Sequence, residues 1–369
     1  MNKDEKKPAE NDAVLYRKHR PQAWADVVGQ EHVVKVLEGS VKLGRISHAY
    51  LFSGGRGTGK TTLARIFAKA IGCSDTDIYE IDAASNRGID DIRELRESVH
   101  TLPFESSYKV YIVDEVHMLT KEAFNALLKT LEEPPKHVIF MLATTEPDKL
   151  PDTVISRCQI FELKKPSRAL LREYVGSVAK KEGFSMEAGA GDLVAGLGDN
   201  SFRDTLGVMQ KIFSYSKDKK ITLNEVELVT GAPKAELVRN FIDALALGGE
   251  AGKDSAFSAL ERALAEGIDM KIFAELAIEK ARMIMMFKHA PTFARAGNFL
   301  KEYSAEDIEM AKRLAGVVQT PAVSMSVSIP VSMPKILLAL LEAVPAISRS
   351  SIPSLPLELA VLRICGEGK

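Results

Sequence analysis

Short apolar runs alternate with helical patterns through residues 1–165 of the chain. Five of these runs are almost continuously apolar and rich in β-branched residues, as strands buried on both faces of a parallel sheet are. The runs are Ala49–Ser53, Ile78–Asp82, Val110–Val113, Val138–Ala143 and Ile160–Leu163. Strands that alternate with helices predict an α/β fold in which helices flank a parallel sheet.

The clearest helix of this half covers Lys121–Glu133. Thr120 is suited to cap its beginning, and Pro134 and Pro135 end it. Apolar residues recur in it at helical spacing, so one side should face the core.

The strand pattern ends at Lys164-Lys165-Pro166, and only helical patterns follow. A second boundary is predicted near Thr230–Pro233. We therefore expect an α/β domain over 1–165, a small helical domain over 166–230 and an all-helical domain over 231–369. Helices are predicted at about 200–213, 235–247, 253–265, 269–289, 305–318, 334–344 and 355–364, with a loop over 320–334.

Composition narrows the functional classes. The formal net charge is −1, so a nucleic-acid contact would need a local basic patch. The polar start of the chain predicts no secretory signal, and the apolar run Ile336–Leu341 is far shorter than the ~20 residues of a membrane helix. Cys73, Cys158 and Cys365 are isolated, which predicts no disulfide framework and a reducing, cytoplasmic setting.

A phosphate-binding loop lies between the first predicted strand and a helix. Residues 54–61 read Gly-Gly-Arg-Gly-Thr-Gly-Lys-Thr, in which glycines let backbone N–H groups surround phosphate oxygens. Lys60 adds a charge for the outer phosphates, and Thr61 offers a hydroxyl to Mg²⁺. We predict that nucleotide binding involves Gly54, Gly57, Thr58, Gly59, Lys60, Thr61 and Thr62. The alternative is a glycine-rich turn without chemical meaning.

Two acids follow the strand Val110–Val113. Asp114 is placed to hold Mg²⁺ through water, and Glu115 to polarise the water that attacks the γ-phosphate. Two solvated acids that merely close a strand are the alternative.

Several blocks resemble the AAA+ clamp-loader ATPases, specifically over residues 16–165 and more weakly after 231. The blocks are Tyr16–Pro21, Val27–Gln30, His48–Gly54, Asp114–Thr120, Phe124–Pro135, Ala143–Pro151, Ser156–Cys158 and Leu355–Ala360. The resemblance implies an AAA+ ATP-binding domain, a helical lid and a helical collar that holds an oligomer together. It also implies ATP-driven loading of a sliding clamp onto primed DNA during replication.

Further roles follow from this resemblance. Thr145 is similar to the first sensor of the γ-phosphate, and Arg203 to the second. Arg157 resembles the arginine finger that reaches a neighbouring subunit's nucleotide; without the resemblance it would be a surface arginine in a local salt bridge. The resemblance places Tyr16, Arg20 and Val28 around adenine and ribose.

DNA contacts are expected at Arg87, Arg93, Lys129 and Lys149, which resemble backbone contacts of the family. Such contacts would follow phosphates without reading sequence. Each of these residues, taken singly, is better explained as a solvated charge, so the expectation of a DNA contact rests on the four as a set.

Two features depart from the family. Relatives carry a module of clustered cysteines where Ile71–Ile78 joins helix to strand directly, so we predict no zinc. The chain stops at Lys369, and the long tail that some relatives carry is expected to be absent or removed.

The partners implied are delta and delta-prime type subunits, further copies of this chain, the sliding clamp and primer–template DNA, with no membrane. Alternatives within the fold are a Holliday-junction motor or an archaeal replication factor C small subunit. Outside this class, the alternative is a scaffold subunit that does not hydrolyse ATP.

Overall fold

The computed structural model describes residues 14–86, 88–294, 303, 305–316 and 331–366. The chain forms two compact units. The first comprises residues up to Lys181 together with Val194–Gln210, and the second comprises Glu182–Leu193 and the residues from Lys211 onward.

A five-stranded parallel sheet is the centre of the first unit, in the order β2-β3-β4-β1-β5. Its strands are β1 (Ala49–Gly54), β2 (Ile78–Asp82), β3 (Lys109–Asp114), β4 (Val138–Thr144) and β5 (Gln159–Leu163). This confirms the predicted parallel sheet, and every predicted strand is present with ends that differ by at most one residue. The expected burial on both faces is wrong for β2 and β5, which are partly exposed because they lie at the edges of the sheet.

Nine α-helices are assigned to the described residues between Leu15 and Tyr215. The first seven are α1 (Leu15–Lys18), α2 (Glu31–Lys42), α3 (Lys60–Ala70), α4 (Ile89–Val99), α5 (Lys121–Glu132), α6 (Asp152–Ile155) and α7 (Arg168–Lys181). They are followed by α8 (Ala188–Leu197) and α9 (Phe202–Tyr215). Of these helices, α2 and α3 pack on one face of the sheet and α4 and α5 on the other.

Successive residues of the central strands enter two separate hydrophobic layers, which explains why the strands are apolar throughout. On one face, Phe52 and Ile112 pack with Phe67 of α3. On the other face, Tyr111 and Leu142 pack with α4 and α5. Because apolar side chains cover both faces of the central strands, polar functional residues can lie only at the ends of these strands.

The second unit is largely helical, apart from a short parallel pair, β6 (Ser185–Met186) and β7 (Lys220–Ile221). Its helices after β7 are α10 (Leu223–Thr230), α11 (Ala235–Leu247), α12 (Gly249–Ala265), α13 (Met270–His289), α14 (Pro291–Ala294), α15 (Ala305–Leu314), α16 (Met333–Ile347) and α17 (Leu355–Cys365). In its core, the rings of Phe241 and Phe273 meet edge to face with centroids 5.1 Å apart.

A buried ion cluster joins three of these helices. Oδ1 of Asp307 in α15 accepts hydrogen bonds from Nζ of Lys280 in α13 at 2.6 Å and from Nη1 of Arg239 in α11 at 3.3 Å. Burial alone would raise the pKa of Asp307, but these two cations outweigh it and lower that pKa.

The helix predictions differ from the structure in instructive places. Helix α12 begins at Gly249, not near 253, because Gly252 lets it approach α11: a Cβ there would lie 2.5 Å from the carbonyl oxygen of Ala244. Helix α16 covers Met333–Ile347, so the predicted loop over 320–334 is wrong at its end, and residues 320–330 lie outside the described part. Helix α15 ends at Leu314, earlier than predicted. Residues 317–318 of the predicted helix lie outside the described residues.

The domain boundaries at 165/166 and 230/231 stay predictions. None of the helices in the described ranges is both long and apolar enough to cross a lipid bilayer.

Candidate nucleotide site

A cleft of about 600 Å³ opens in the first unit at the carboxyl ends of β1 and β3. Its walls come from the segment around α1, from the loop between β1 and α3, and from the start of α9. Parallel strands bring their carboxyl ends to one edge of the sheet, so the polar residues that follow β1, β3 and β4 collect there.

The glycines of the loop are required by its geometry. Gly57 has φ +70° and Gly59 has φ +103°, a region that side chains other than glycine rarely adopt. A Cβ at Gly57 would lie 1.9 Å from Oγ of Ser201. The backbone therefore curves around a space that faces the N-terminus of α3, where N–H groups favour an anion.

Lys60 is the first residue of α3 and is only 6 % exposed. Its Nζ donates to the carbonyl oxygens of Gly54 and Gly55, at 3.0 and 2.9 Å. Burial lowers the pKa of Lys60, partly offset by the charges of Glu115 and Asp114. A polyphosphate in the cleft would add negative charge and favour the ammonium form.

Thr61 and Asp114 meet across the cleft. The hydroxyl of Thr61 donates to Oδ2 of Asp114 at 2.7 Å, although the two residues are 53 positions apart. A hydroxyl and a carboxylate this close could serve one divalent cation, directly or through water.

Glu115 has φ +47°, an unusual backbone conformation for a residue with a side chain. Its Oε2 accepts hydrogen bonds from the backbone N–H and the hydroxyl of Thr145, at 3.2 and 2.9 Å. Two groups named from sequence as catalytic base and sensor are thus in direct contact.

The start of α9 touches the loop. The N–H of Phe202 donates to the carbonyl of Gly57 at 3.2 Å, and the guanidinium of Arg203 lies 5.3 Å from the ring centroid of Tyr16. Because of these contacts, a movement of the loop would displace the start of α9.

Most of the predicted nucleotide residues line this one cleft. Those that do are Tyr16, Arg20, Val28, Gly57, Thr58, Gly59, Lys60, Thr61, Thr62, Asp114, Glu115 and Arg203. Gly54 ends β1 behind the loop, and Thr145 reaches the cleft through Glu115.

Arg157 lies outside the cleft lining. Its guanidinium donates to Oε1 of Glu132 and to the carbonyl of Thr153, both at 2.7 Å. The side chain is 32 % exposed. Because its guanidinium is bonded to these two partners, it would have to leave them to reach a neighbouring molecule.

The predicted DNA contacts are exposed in part. Arg93 is paired with Asp90 at 2.9 Å, and Lys149 with Glu146 at 2.8 Å. Lys129 is exposed on α5, and Arg87 lies outside the described residues.

Sequence reasoning missed several groups around the cleft. Arg65 and Glu80 form an ion pair in its lining, although they come from α3 and β2. Burial, followed by the charge of Arg65, lowers the pKa of Arg20, whose Nε donates to the hydroxyl of Thr62 at 3.1 Å. The charges of Arg65 in α3 and of Glu80 in β2 were the available signal.

The described residues contain no cluster of three or more His, Cys, Asp or Glu side chains that could hold a metal ion. Burial raises the pKa of Cys73 and of Cys158, each to about 11.

The sequence of this chain is similar to those of bacterial DNA polymerase III subunits. A family described as "DNA polymerase III, delta subunit" matches residues 29–88 and 74–167. The DNA polymerase III subunit tau of Bacillus subtilis is 41 % identical over 298 residues, which is 75 % of this chain and 52 % of that protein. The subunit tau of Escherichia coli is 37 % identical over 322 residues, or 82 % of this chain and 49 % of that protein.

The chain thus spans about half the length of the curated relatives it matches. Among solved structures, the Holliday-junction branch-migration motor RuvB of Thermotoga maritima has a TM-score of 0.50 and 23 % identity, covering 66 % of this chain and 85 % of RuvB. That likeness concerns the fold alone, which is the AAA+ fold.

Proposed function

We propose that this chain, a member of the family of DNA polymerase III gamma/tau subunits over the three quarters that it shares with them, is an ATPase of a bacterial clamp loader. One observation carries the proposal. Lys60, Thr61, Asp114 and Glu115 are all present and converge on one cleft beside an intact phosphate loop.

The cleft fits Mg²⁺·ATP as its ligand. The positive φ angles of Gly57 and Gly59 would let backbone N–H groups turn toward phosphate oxygens, and a Cβ at Gly57 would clash with Ser201. Lys60 would exchange its bonds to two loop carbonyls for the outer phosphates. Thr61 and Asp114 would hold the metal ion, which supplies charge neutralisation at the β- and γ-phosphates when bound.

The remaining steps belong to the protein's own side chains. Glu115 would turn from Thr145 to orient a water and to accept its proton, while Thr145 and Arg203 would respond to the γ-phosphate. Tyr16, Arg20 and Val28 would enclose the base and the sugar. Arg157 would leave Glu132 and place its guanidinium against the nucleotide of a neighbouring subunit, where planar donors can spread over the developing charge.

The assembly proposed here includes copies of this chain, delta and delta-prime type subunits, a sliding clamp and primer–template DNA, all in the bacterial cytoplasm. Residues 166–230 would act as a lid and residues 231–369 as a collar. ATP binding would favour the form that opens the clamp, and hydrolysis the form that releases it on DNA. Arg87, Arg93, Lys129 and Lys149 would contact DNA phosphates.

Two alternatives make different predictions. A scaffold subunit would bind ATP without turnover, and the complete set from Lys60 to Glu115 argues against it. Another AAA+ remodeller would hydrolyse ATP without regard to clamp or primed DNA. The identity to gamma/tau subunits, against 23 % to RuvB, favours the clamp loader.

The test is ATP hydrolysis by the full chain, reconstituted with delta-type partners, with and without clamp and primed DNA. We expect ATP hydrolysis to be strongly stimulated only when clamp and primed DNA are both present. We also expect Lys60→Ala to lose turnover. Turnover that ignores both ligands would point to another remodeller, and tight ATP binding with no turnover would point to a scaffold.

A further inference from the structure

A line of polar contacts runs from the carboxylate of Glu115 to the surface. Oε2 of Glu115, which Thr145 holds, lies 3.5 Å from Nδ1 of His117. Nε2 of the same ring lies 3.4 Å from Oε1 of Glu146. The other carboxylate oxygen of Glu146 accepts Nζ of Lys149 at 2.8 Å.

Exposure is lowest at His117 and rises from there toward the surface. The side chain of His117 is 5 % exposed, that of Glu146 47 % and that of Lys149 61 %. The ring of His117 is also held by Oγ1 of Thr144, which lies 2.9 Å from Nδ1 and accepts the N–H of Glu146 at 3.0 Å. The buried ring therefore sits between two carboxylates, one in the cleft and one at the surface.

A neutral histidine carries one ring proton, and the partner of each nitrogen decides which nitrogen holds it. With the proton on Nδ1, the ring can donate toward Glu115 and Thr144. With the proton on Nε2, it can donate toward Glu146, and the lone pair of Nδ1 then faces the carboxylate of Glu115. The first arrangement restrains Glu115, and the second repels it.

Lys149 can select between these arrangements. While its ammonium is bonded to Glu146, that carboxylate is a weaker acceptor for His117, because part of its charge is already satisfied. An exposed ion pair of this kind is weak, and a DNA phosphate competes readily for a lysine. Once the lysine leaves, Glu146 becomes the better acceptor.

We propose that His117 is a positioning residue that couples an anion at Lys149 to the carboxylate of Glu115. A DNA phosphate that takes Lys149 from Glu146 moves the ring proton from Nδ1 to Nε2, through exchange with water, and removes the restraint that His117 places on Glu115. The proton count of the ring does not change. The inference rests on the proposed ATPase function and adds a route by which DNA stimulates it.

The test measures ATP turnover of the reconstituted assembly, first without DNA and then at saturating primed DNA. Lys149→Ala imitates withdrawal of the lysine, and we expect it to raise DNA-free turnover about two- to fivefold, the range that a weak exposed pair can redirect. Lys149→Arg keeps a cation beside Glu146, so its DNA-free turnover should rise less than that of Lys149→Ala. Glu146→Gln removes the negative charge that makes residue 146 a strong acceptor for His117, and it should lower the stimulation by DNA. None of these variants should change the affinity for ATP.

Lys136→Ala is the matched control, because Lys136 is an exposed lysine of the same unit outside this line of contacts. A double-variant cycle then isolates the ring: in a His117→Asn background, Lys149→Ala should no longer raise DNA-free turnover. The exposed variants at 146 and 149 keep the test valid if His117→Asn folds poorly.

Equal DNA-free turnover in Lys149→Ala and Lys136→Ala would overturn the coupling while leaving the ATPase proposal intact. An additive effect of Lys149→Ala in the His117→Asn background would also overturn it. If the wild-type assembly shows no stimulation by DNA, the proposed function itself fails and the coupling falls with it.

Discussion

Gly57→Ala perturbs the place where the phosphate loop and α9 touch. Gly57 has φ +70°, and the new Cβ would lie 1.9 Å from Oγ of Ser201. The next nearest atoms are the Cβ of Ser201 at 3.0 Å and that of Arg203 at 3.3 Å. The substitution therefore combines backbone strain with one severe clash, and the clash comes from a single oxygen atom.

The magnitude follows from these contacts. A Cβ in the left-handed region costs about 1–2 kcal/mol. Moving Ser201 away by roughly an ångström would also break the hydrogen bond from Phe202 N–H to the carbonyl of Gly57, worth about 0.5–1.5 kcal/mol. We expect the empty variant loop to escape this cost by changing shape, so that ATP must restore the shape that would surround its phosphates. A combined cost of about 2–3 kcal/mol then corresponds to ATP binding weaker by about 30- to 150-fold.

Titration with a fluorescent ATP analogue measures this loss, and thermal melting checks that each variant is folded. Ser201→Ala removes the clashing oxygen, so the double variant Gly57→Ala/Ser201→Ala should recover about tenfold of the lost affinity. Ser201→Ala alone loses the bond from the N–H of Asp204 to Oγ, which is 3.2 Å long and caps α9. Gly39→Ala is the control, since nothing lies within 4 Å of a Cβ there.

Wild-type affinity in Gly57→Ala would refute the argument that the loop's shape depends on this glycine. Loss of affinity that Ser201→Ala leaves unchanged would mean that backbone strain, and not the contact with α9, carries the effect.

Three further outcomes are expected. Lys60→Ala should abolish ATP binding, because its buried ammonium would be the loop's charge for the outer phosphates; retained affinity in filter binding would contradict that role. Arg157→Ala should leave ATP affinity nearly intact and cut stimulated turnover, by up to the ~10³–10⁵ known for arginine fingers and by less in a multi-site assembly; a lowered melting temperature with unchanged turnover would instead make its pair with Glu132 structural. Burial favours a higher pKa for Asp77, but N–H groups of residues 104–106 outweigh it and lower the pKa from 3.8 to about 2. Its contribution to stability is therefore present above about pH 4 and lost as pH falls toward 2, and melting of Asp77→Asn should depend less on pH over that range than melting of the wild type.

The strands and the phosphate loop could be predicted because their signals are local. A continuous apolar run such as Val110–Val113 is enough to predict a buried strand. The spacing of glycines around Lys60 is enough to predict the conformation of the loop backbone. Helices with glycine at their start, such as α12, were placed less well because packing against α11, and not propensity, decides where they begin.

The sequence by itself determined the parallel α/β fold, the loop that could hold phosphates and the two acids that end β3. Only the tertiary structure decided that Thr61 meets Asp114, that Phe202 bonds to Gly57, and that His117 stands between Glu115 and Glu146. The physical reason is that backbone conformation and burial period are properties of neighbouring residues, whereas these meetings depend on the strand order β2-β3-β4-β1-β5. No local pattern encodes that order, because it follows from how the hydrophobic layers on both faces of the sheet pack together.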